Sequence, residues 1–249
     1  MRTKRELRAA VIARRDALNA NARAKKSARV CTELLHTLDG LVRDGRQVVA
    51  VFSSMGSEVD LDAFVRGAYD RGARVTFPCM VKNPAWKETA PPTASPDGSS
   101  EVRQPEPSIA AHADRDKPHD ETAGAPASPA HAFVPRLLMQ FRAVTREQYE
   151  SGAAPFVERP LRTFAPSAPE LAPFPPVRPD QVDFAVCPLV AFDAAGHRLG
   201  YGGGNYDAFL SRVLPDATVV GVAFAEQEVP TGSIPLEPHD RALPRIVRA

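Results

Sequence analysis

The chain has 249 residues, a hydrophobic content of 43% and a formal net charge of only +1. This length allows one large or two small domains, and no apolar run approaches the ~20 residues that a membrane-spanning helix needs. The three cysteines, Cys31, Cys79 and Cys187, lie far apart without metal-ligand spacing, which indicates a reducing compartment. No secretory segment follows the start, so we expect a cytoplasmic protein.

The positive charge is concentrated at the start of the chain. Residues 1–30 carry a net charge of +8, so the remainder carries −7. A basic segment of this kind favours a polyanionic partner such as a nucleotide, a nucleic acid or an acidic membrane. A solvated helix face and an Arg-rich transit peptide are the two alternatives.

Helical spacing dominates the first 38 residues. Apolar residues recur at this spacing in the second half of 4–38, and the pattern breaks near Asn19 and Asn21. The pattern predicts two helices, the second capped by one of these asparagines. A second amphipathic pattern, from Leu61 to Gly72, predicts another helix.

Two apolar runs, 47–52 and 74–78, flank this third helix. The first is continuously apolar, as strands buried on both faces of a parallel sheet are. The order strand, helix, strand predicts a crossover unit of an α/β sheet.

The stretch 83–132 differs from its surroundings because it contains nine of the 25 prolines and few large apolar residues. It cannot bury enough surface to offset its ordering entropy. We therefore predict a mostly disordered insertion between neighbouring strands. His112, His119 and His131 lie within it and could form a metal tract, but solvated histidines are the simpler interpretation.

The rest of the chain continues the α/β pattern. Strands are predicted over 137–141, 184–192 and 218–224, a Pro-rich traverse over 151–179, and a helix over 207–214.

A glycine-rich segment, 198–207, lies between the predicted strand 184–192 and the predicted helix 207–214. It reads Arg-Leu-Gly-Tyr-Gly-Gly-Gly-Asn-Tyr-Asp. Glycines admit positive φ and a close approach of ligands to the backbone, and an arginine adds a fork of donors for phosphate. It lacks the Lys-Ser/Thr of a Walker A loop, and Asn205 replaces the third glycine of the dinucleotide fingerprint. The segment predicts a phosphate-binding loop, with a hairpin turn that binds no ligand as the alternative.

Four short motifs occur in an informative order: Lys4–Arg8, Glu58–Asp60, Arg198–Asp207 and His239-Asp240. Their order and spacing resemble the 5-formyltetrahydrofolate cyclo-ligase family, also called 5,10-methenyltetrahydrofolate synthetases. The resemblance covers nearly the whole chain except 83–132. It implies a three-layer α/β/α single domain (1–249) with a mainly parallel sheet, interrupted by the insertion. It also implies ATP-dependent closure of the 5-formyltetrahydrofolate ring, with Mg²⁺ as cofactor.

The resemblance assigns a role to each motif residue. It places Arg198 and Tyr206 in catalysis and Asp207 and Asp240 at magnesium. It assigns ATP contacts to Lys4, Arg5, Arg8, Arg198, Gly200, Tyr201, Gly202, Gly203, Gly204, Asn205 and Tyr206. It assigns contacts to the folate substrate to Ser53, Glu58, Tyr201, Gly202 and Gly204.

The loop departs from the family pattern at Asn205, where many members have a tyrosine, and at Tyr201 and Gly203, where some carry basic residues. A pterin-stacking aromatic is not evident, and Phe156 is the candidate.

We expect a monomer that binds these small molecules and neither nucleic acid nor membrane. The alternatives are a non-catalytic nucleotide- or folate-binding protein on the same fold, or a nucleic-acid-binding protein led by the basic segment. The second would need aromatic stacking residues, and 1–30 contains none.

Overall fold

A computed structural model of the chain describes residues 3–41, 47–86, 136–237 and 240–249. Its described helices are α1 (Lys4–Asp16), α2 (Ala20–Leu41), α3 (Asp62–Asp70), α4 (Arg146–Glu150), α5 (Pro155–Glu158) and α6 (Asn205–Leu210). Its described strands are β1 (Val48–Ala50), β2 (Arg74–Lys82), β3 (Leu137–Ala143), β4 (Thr163–Phe164), β5 (Pro176–Val177), β6 (Phe184–Pro188), β7 (Ala191–Phe192), β8 (Arg198–Leu199), β9 (Thr218–Ala223) and β10 (Ile246–Arg248).

The two N-terminal helices form as predicted. Thr3 caps α1, and Glu6 closes a capping box by accepting a hydrogen bond from the Thr3 N–H. Asn19 rather than Asn21 caps α2, since its Oδ1 accepts a hydrogen bond from the Ala22 N–H at 2.8 Å.

The central sheet has the order β10-β9-β6-β1-β2-β3-β5, and β4 pairs with β2. All neighbours from β10 to β2 run parallel, whereas β3 is antiparallel to both β2 and β5. The predicted mainly parallel sheet is therefore confirmed.

Two hydrophobic clusters cover the two faces of this sheet. Phe184 of β6 belongs to the cluster formed with α2 and α3, and its ring centroid lies 5.9 Å from that of Phe64. Its neighbour Ala185 belongs to the cluster formed with Phe209 of α6. Because successive strand residues point to opposite faces, the helices lie on opposite sides and the predicted three layers are present.

The apolar run 184–192 was predicted as one strand, and this prediction is wrong. β6 ends at Pro188, and β7 pairs with β8 in a separate two-stranded hairpin. The turn of that hairpin is fixed by Asp193, whose Oδ1 accepts hydrogen bonds from the N–H groups of Ala195 and His197. The glycine-rich loop therefore follows β8. The next helix is also displaced, since α6 spans Asn205–Leu210 rather than 207–214.

The predicted insertion, 83–132, lies outside the described residues apart from 83–86. The strands on either side of it pair with each other, as expected: Lys82 lies opposite Leu137, and the Asn83 N–H donates to the carbonyl of Arg136 at 2.9 Å. The insertion is therefore attached at the end of the β2–β3 hairpin.

Within the described part of the chain, none of the helices combines the length and apolarity required to span a bilayer.

Candidate functional site at the carboxyl edge of the sheet

The glycine-rich loop, 200–204, connects β8 to α6 and adopts the backbone conformations that its glycines suggest. Gly202 and Gly204 have φ of +99° and +63°. A Cβ built on Gly202 would lie 3.2 Å from Arg8 Nη2, so α1 approaches the loop closely at this point. Arg8 Nε also donates to the carbonyl of Gly200 at 2.7 Å. A basic residue of α1 thus holds the loop by its backbone.

Arg198 connects the loop to the C-terminal segment. Its Nη2 donates to Asp207 Oδ1, and its Nη1 donates to the carbonyl of Arg241 at 2.5 Å. The Arg198 side chain is only 4% exposed. Two arms of one guanidinium therefore bind residues 9 and 43 positions further along the chain, which brings α6 and the segment after 240 to the same place.

Lys4, in the first turn of α1, binds this same segment. Its Nζ lies 3.0 Å from Asp240 Oδ2 and 3.1 Å from Glu237 Oε1. Burial opposes the charge of Lys4, but hydrogen bonds and charge interactions with the two carboxylates outweigh burial and raise the pKa of Lys4. Lys4 is thus held as a cation beside Asp240.

The predicted magnesium ligands, Asp207 and Asp240, each contact a cationic side chain. Among the described residues, no group of three or more His, Cys, Asp or Glu side chains is arranged to hold a metal ion. Magnesium in phosphate-transfer sites commonly has one or two carboxylate ligands, with substrate phosphates and water completing its shell. Two carboxylates at one edge of the sheet fit such a shared site.

Glu58 lies where the loop meets the residues that follow β1. Its Oε1 accepts a hydrogen bond from the phenol of Tyr201 at 2.6 Å, and its Oε2 accepts one from the Met55 N–H at 2.8 Å. Burial raises the pKa of Glu58, while these two hydrogen bonds and the charge of Arg15 lower it. Burial, with the neighbouring carboxylate, also raises the pKa of Tyr201 to about 12, so its phenol keeps its proton.

Two predicted residues carry buried hydroxyl groups that have no hydrogen-bond partner in the part of the chain that the structure describes. Neither Ser53 Oγ nor the Tyr206 OH makes a hydrogen bond with a described residue. Burial raises the pKa of Tyr206 well above its usual value, so the unpaired group is a neutral hydroxyl. Since buried polar atoms in proteins are nearly always paired, these two hydroxyls are candidates for contacting a ligand.

Other predicted residues stand apart from this cluster. Arg5 is exposed on α1 and makes no hydrogen bond or ion pair with a described residue. Gly203 lies in the loop and Asn205 is the first residue of α6, and the Asn205 amide approaches Gly203. Phe156, the candidate pterin-stacking aromatic, is fully buried against Phe174 in the core, so that assignment is wrong.

Two residues that sequence reasoning missed, Arg15 and Ser57, are part of the same cluster. Arg15 Nε donates to Ser57 Oγ at 2.8 Å, and Arg15 Nη1 donates to the Tyr201 OH at 3.1 Å. Helical spacing could have identified Arg15, because it lies seven residues after Arg8 and eleven after Lys4, on the same face of α1.

The cysteines take no part in the site. Cys31, Cys79 and Cys187 are buried free thiols, and burial raises their pKa values to about 11, 11 and 12. None is therefore a reactive thiolate at neutral pH.

The geometry defines an α/β protein with cations, a glycine loop and carboxylates at the carboxyl edge of its sheet. A model of the 5-formyltetrahydrofolate cyclo-ligase family matches residues 136–249. The mitochondrial 5-formyltetrahydrofolate cyclo-ligase of Arabidopsis thaliana is 36% identical over 76 residues, which are 27% of each chain. The 5-formyltetrahydrofolate cyclo-ligase of Mycoplasma pneumoniae is 28% identical over 110 residues, which are 44% of this chain and 57% of that one.

Solved structures show the same fold over nearly the whole chain. A 5,10-methenyltetrahydrofolate synthetase from M. pneumoniae has a TM-score of 0.57 at 16% identity and covers 98% of both chains. The enzyme of the same name from Aquifex aeolicus has a TM-score of 0.56 at 21% identity, covering 98% of this chain and 89% of that one. The resemblance to the 5-formyltetrahydrofolate cyclo-ligase family is therefore confirmed. The matches span less than two thirds of the length of the curated relatives.

Proposed function

We propose that the protein is an ATP- and Mg²⁺-dependent 5-formyltetrahydrofolate cyclo-ligase. One observation carries this proposal: Lys4, Arg8 and Arg198 converge on the glycine-rich loop and on Asp207 and Asp240 at one edge of the sheet. Phosphoryl transfer needs charge neutralisation and positioning more than it needs a covalent protein group, and the residues at this edge would supply both. The names of the relatives support the same activity.

The reaction explains why ATP is consumed. A formamide oxygen is a poor leaving group, so it first attacks the γ-phosphorus of ATP, and the bond to ADP breaks. The formyl carbon, now bound to a phosphorylated oxygen, is electrophilic. N10 of the folate attacks this carbon and loses its proton, and the carbon–oxygen bond breaks. The products are 5,10-methenyltetrahydrofolate, ADP and phosphate.

The cations would act on the phosphates of ATP. Arg8 and Arg198 flank the loop, and their donors, with the N–H groups of 200–204, would bind phosphate oxygens where negative charge develops. Lys4 would contribute a third positive charge. Magnesium bound by Asp207 and Asp240 would neutralise charge on the transferring phosphoryl group.

The hydroxyls and the carboxylate would bind the folate. Ser53 and Tyr206 offer unpaired hydroxyl groups, and each Glu58 oxygen accepts only one hydrogen bond from the described residues. A carboxylate has about four acceptor positions, so Glu58 retains capacity for the N–H groups of a pterin ring. These contacts would fix the formyl oxygen relative to the γ-phosphate.

The test is the near-ultraviolet absorbance of the methenyl product, measured with 5-formyltetrahydrofolate and Mg²⁺, with and without ATP. We expect a rise that requires ATP and stops on chelation of the metal. A flat trace from folded protein that still binds ATP would overturn the proposal and favour a non-catalytic binding protein.

The remaining parts of the proposal concern cellular setting and partners. We propose a cytoplasmic monomer that binds neither nucleic acid nor membrane. Sedimentation of the purified protein tests the monomer. Salt-dependent RNA binding that ATP does not affect would contradict the exclusion of nucleic acid.

A further inference from the structure

Arg15 is the most deeply buried residue of the basic face of α1. Only 5% of its surface is exposed, although arginine is rarely buried unless it is paired. No described carboxylate lies within ion-pairing distance of it, and the acceptors of its hydrogen bonds are two neutral hydroxyls, on Ser57 and Tyr201. This arrangement requires an explanation, because an uncompensated buried charge is costly.

Each of these hydroxyls in turn donates a hydrogen bond to a carboxylate. Ser57 Oγ donates to Asp16 Oδ1, and the Tyr201 OH donates to Glu58 Oε1 at 2.6 Å. A hydroxyl has one proton, so while its oxygen accepts from Arg15 that proton is available to the carboxylate alone. Both series of hydrogen bonds therefore have a fixed direction, from the guanidinium of Arg15 through a hydroxyl to a carboxylate.

Resting on the proposed function, we propose that Arg15 is a positioning residue for the folate site, which acts through Tyr201 to hold Glu58 as an oriented carboxylate that accepts hydrogen bonds. The consequence is specific, because an ionised Glu58 accepts hydrogen bonds on both of its oxygens, whereas a protonated Glu58 has one oxygen that carries a donor.

The groups around Glu58 determine whether its carboxyl group is neutral or ionised. Burial favours its neutral form, whereas the Tyr201 phenol, the Met55 N–H and the charge of Arg15 favour its ionised form. Tyr206, at the start of α6, is a neutral phenol that also lies in the field of Glu58. Removing the charge of Arg15 leaves burial opposed by two hydrogen bonds alone, so Glu58 should take up a proton at higher pH.

The first test needs no substrate. The protein is labelled with ¹³C at glutamate side-chain carboxyls, the Glu58 signal is assigned by its loss in Glu58→Gln, and its titration is followed by NMR. We expect Arg15→Gln to move the Glu58 midpoint up by about one pH unit, and Arg15→Lys to move it less. Arg14→Ala is the matched control, since Arg14 is the exposed neighbour and its side chain hydrogen-bonds, among the described residues, to the carbonyl of Glu228 alone.

The second test measures binding and turnover. At neutral pH we expect Arg15→Gln to raise the KM for 5-formyltetrahydrofolate about tenfold, with the KM for ATP changed much less. The acid limb of kcat/KM should move with the NMR midpoint, and Arg15→Lys should restore part of the loss. If Arg15→Gln does not fold, Tyr201→Phe breaks the same chain at a half-exposed residue and should move the midpoint in the same direction.

The outcomes separate the two proposals. A folded Arg15→Gln or Tyr201→Phe with an unmoved Glu58 midpoint would overturn the role of Arg15, whatever the activity. A moved midpoint in a protein that never cyclises 5-formyltetrahydrofolate would support that role and overturn the proposed function.

Discussion

Arg198 and Asp207 form an ion pair whose cationic side chain is 4% exposed and whose anionic side chain is 26% exposed. The second arm of the same guanidinium holds the carbonyl of Arg241. The pair therefore both neutralises a carboxylate and connects two parts of the site. A lysine could supply the charge but not the fork, because its ammonium is a single point.

The first prediction follows from this fork. Arg198→Lys should lower kcat/KM about 100-fold, because the transferring phosphate loses oriented donors while a positive charge remains. Methenyl formation under saturating Mg²⁺ measures the loss. Arg178→Lys is the control, since Arg178 pairs with Asp180 on the surface. Wild-type turnover in folded Arg198→Lys would remove the fork from the mechanism.

The second prediction concerns Asp207 as a magnesium ligand. Asp207→Asn should raise the half-saturating Mg²⁺ concentration at least about tenfold, since loss of a ligand or its partner weakens metal sites by this order. A Mg²⁺ titration of turnover gives the value, with Asp180→Asn as the surface control. An unchanged titration would show that Asp207 pairs with Arg198 and does not bind magnesium.

The sequence predicted the loop and the parallel sheet because both have strong local signals. Glycines that adopt positive φ, such as Gly202, interrupt a chain visibly, and continuous apolar runs such as 47–52 indicate buried parallel strands. The run 184–192 was wrongly predicted as one strand because it too is continuously apolar. It contains no glycine and only one proline, so the change from β6 to the β7–β8 hairpin had no turn signal before Asp193.

Side-chain partners were harder to predict than elements. Asp207 and Asp240 were assigned to a metal, but sequence order does not reveal that Arg198 and Lys4 lie against them. Arg15 was overlooked because it is the same residue type as its neighbour Arg14, although the two lie on different faces of α1 and only Arg15 is buried. Tertiary packing decides such cases, and periodicity gives just the face of the helix.

The third prediction concerns the insertion, which we propose is dispensable for activity. Asn83 and Arg136 form a backbone hydrogen bond beyond the Lys82–Leu137 pair, so the β2–β3 hairpin provides its own junction. Replacing 84–135 by Asn-Gly should give a two-residue hairpin turn with the flanking register intact. We expect soluble protein with turnover within about threefold of wild type, since a shorter connection between two paired strands costs less closure entropy. A folded variant without activity would show that the insertion contributes to the site.

The fourth prediction tests how the β7–β8 turn holds the C-terminal segment. Gly196 has φ of +81°, its carbonyl accepts from the Leu243 N–H at 2.8 Å, and a built Cβ would lie 2.4 Å from the Leu243 carbonyl oxygen. Gly232 has the same φ of +81°, but nothing lies within 4 Å of a built Cβ. The two glycines therefore separate backbone strain from steric clash.

Gly232→Ala should cost only the strain, about 1 kcal/mol of the free energy of unfolding. Gly196→Ala adds a clash with backbone that cannot rotate away, so its cost should reach about 3 kcal/mol or more. It should also raise the KM for ATP, because displacing Leu243 shifts Asp240 and Arg241, which bind Lys4 and Arg198. Denaturant unfolding and the KM for ATP provide the two measurements. If both variants lose the same free energy of unfolding, the C-terminal segment moves away from the added methyl group without cost. The β7–β8 turn would then not position that segment.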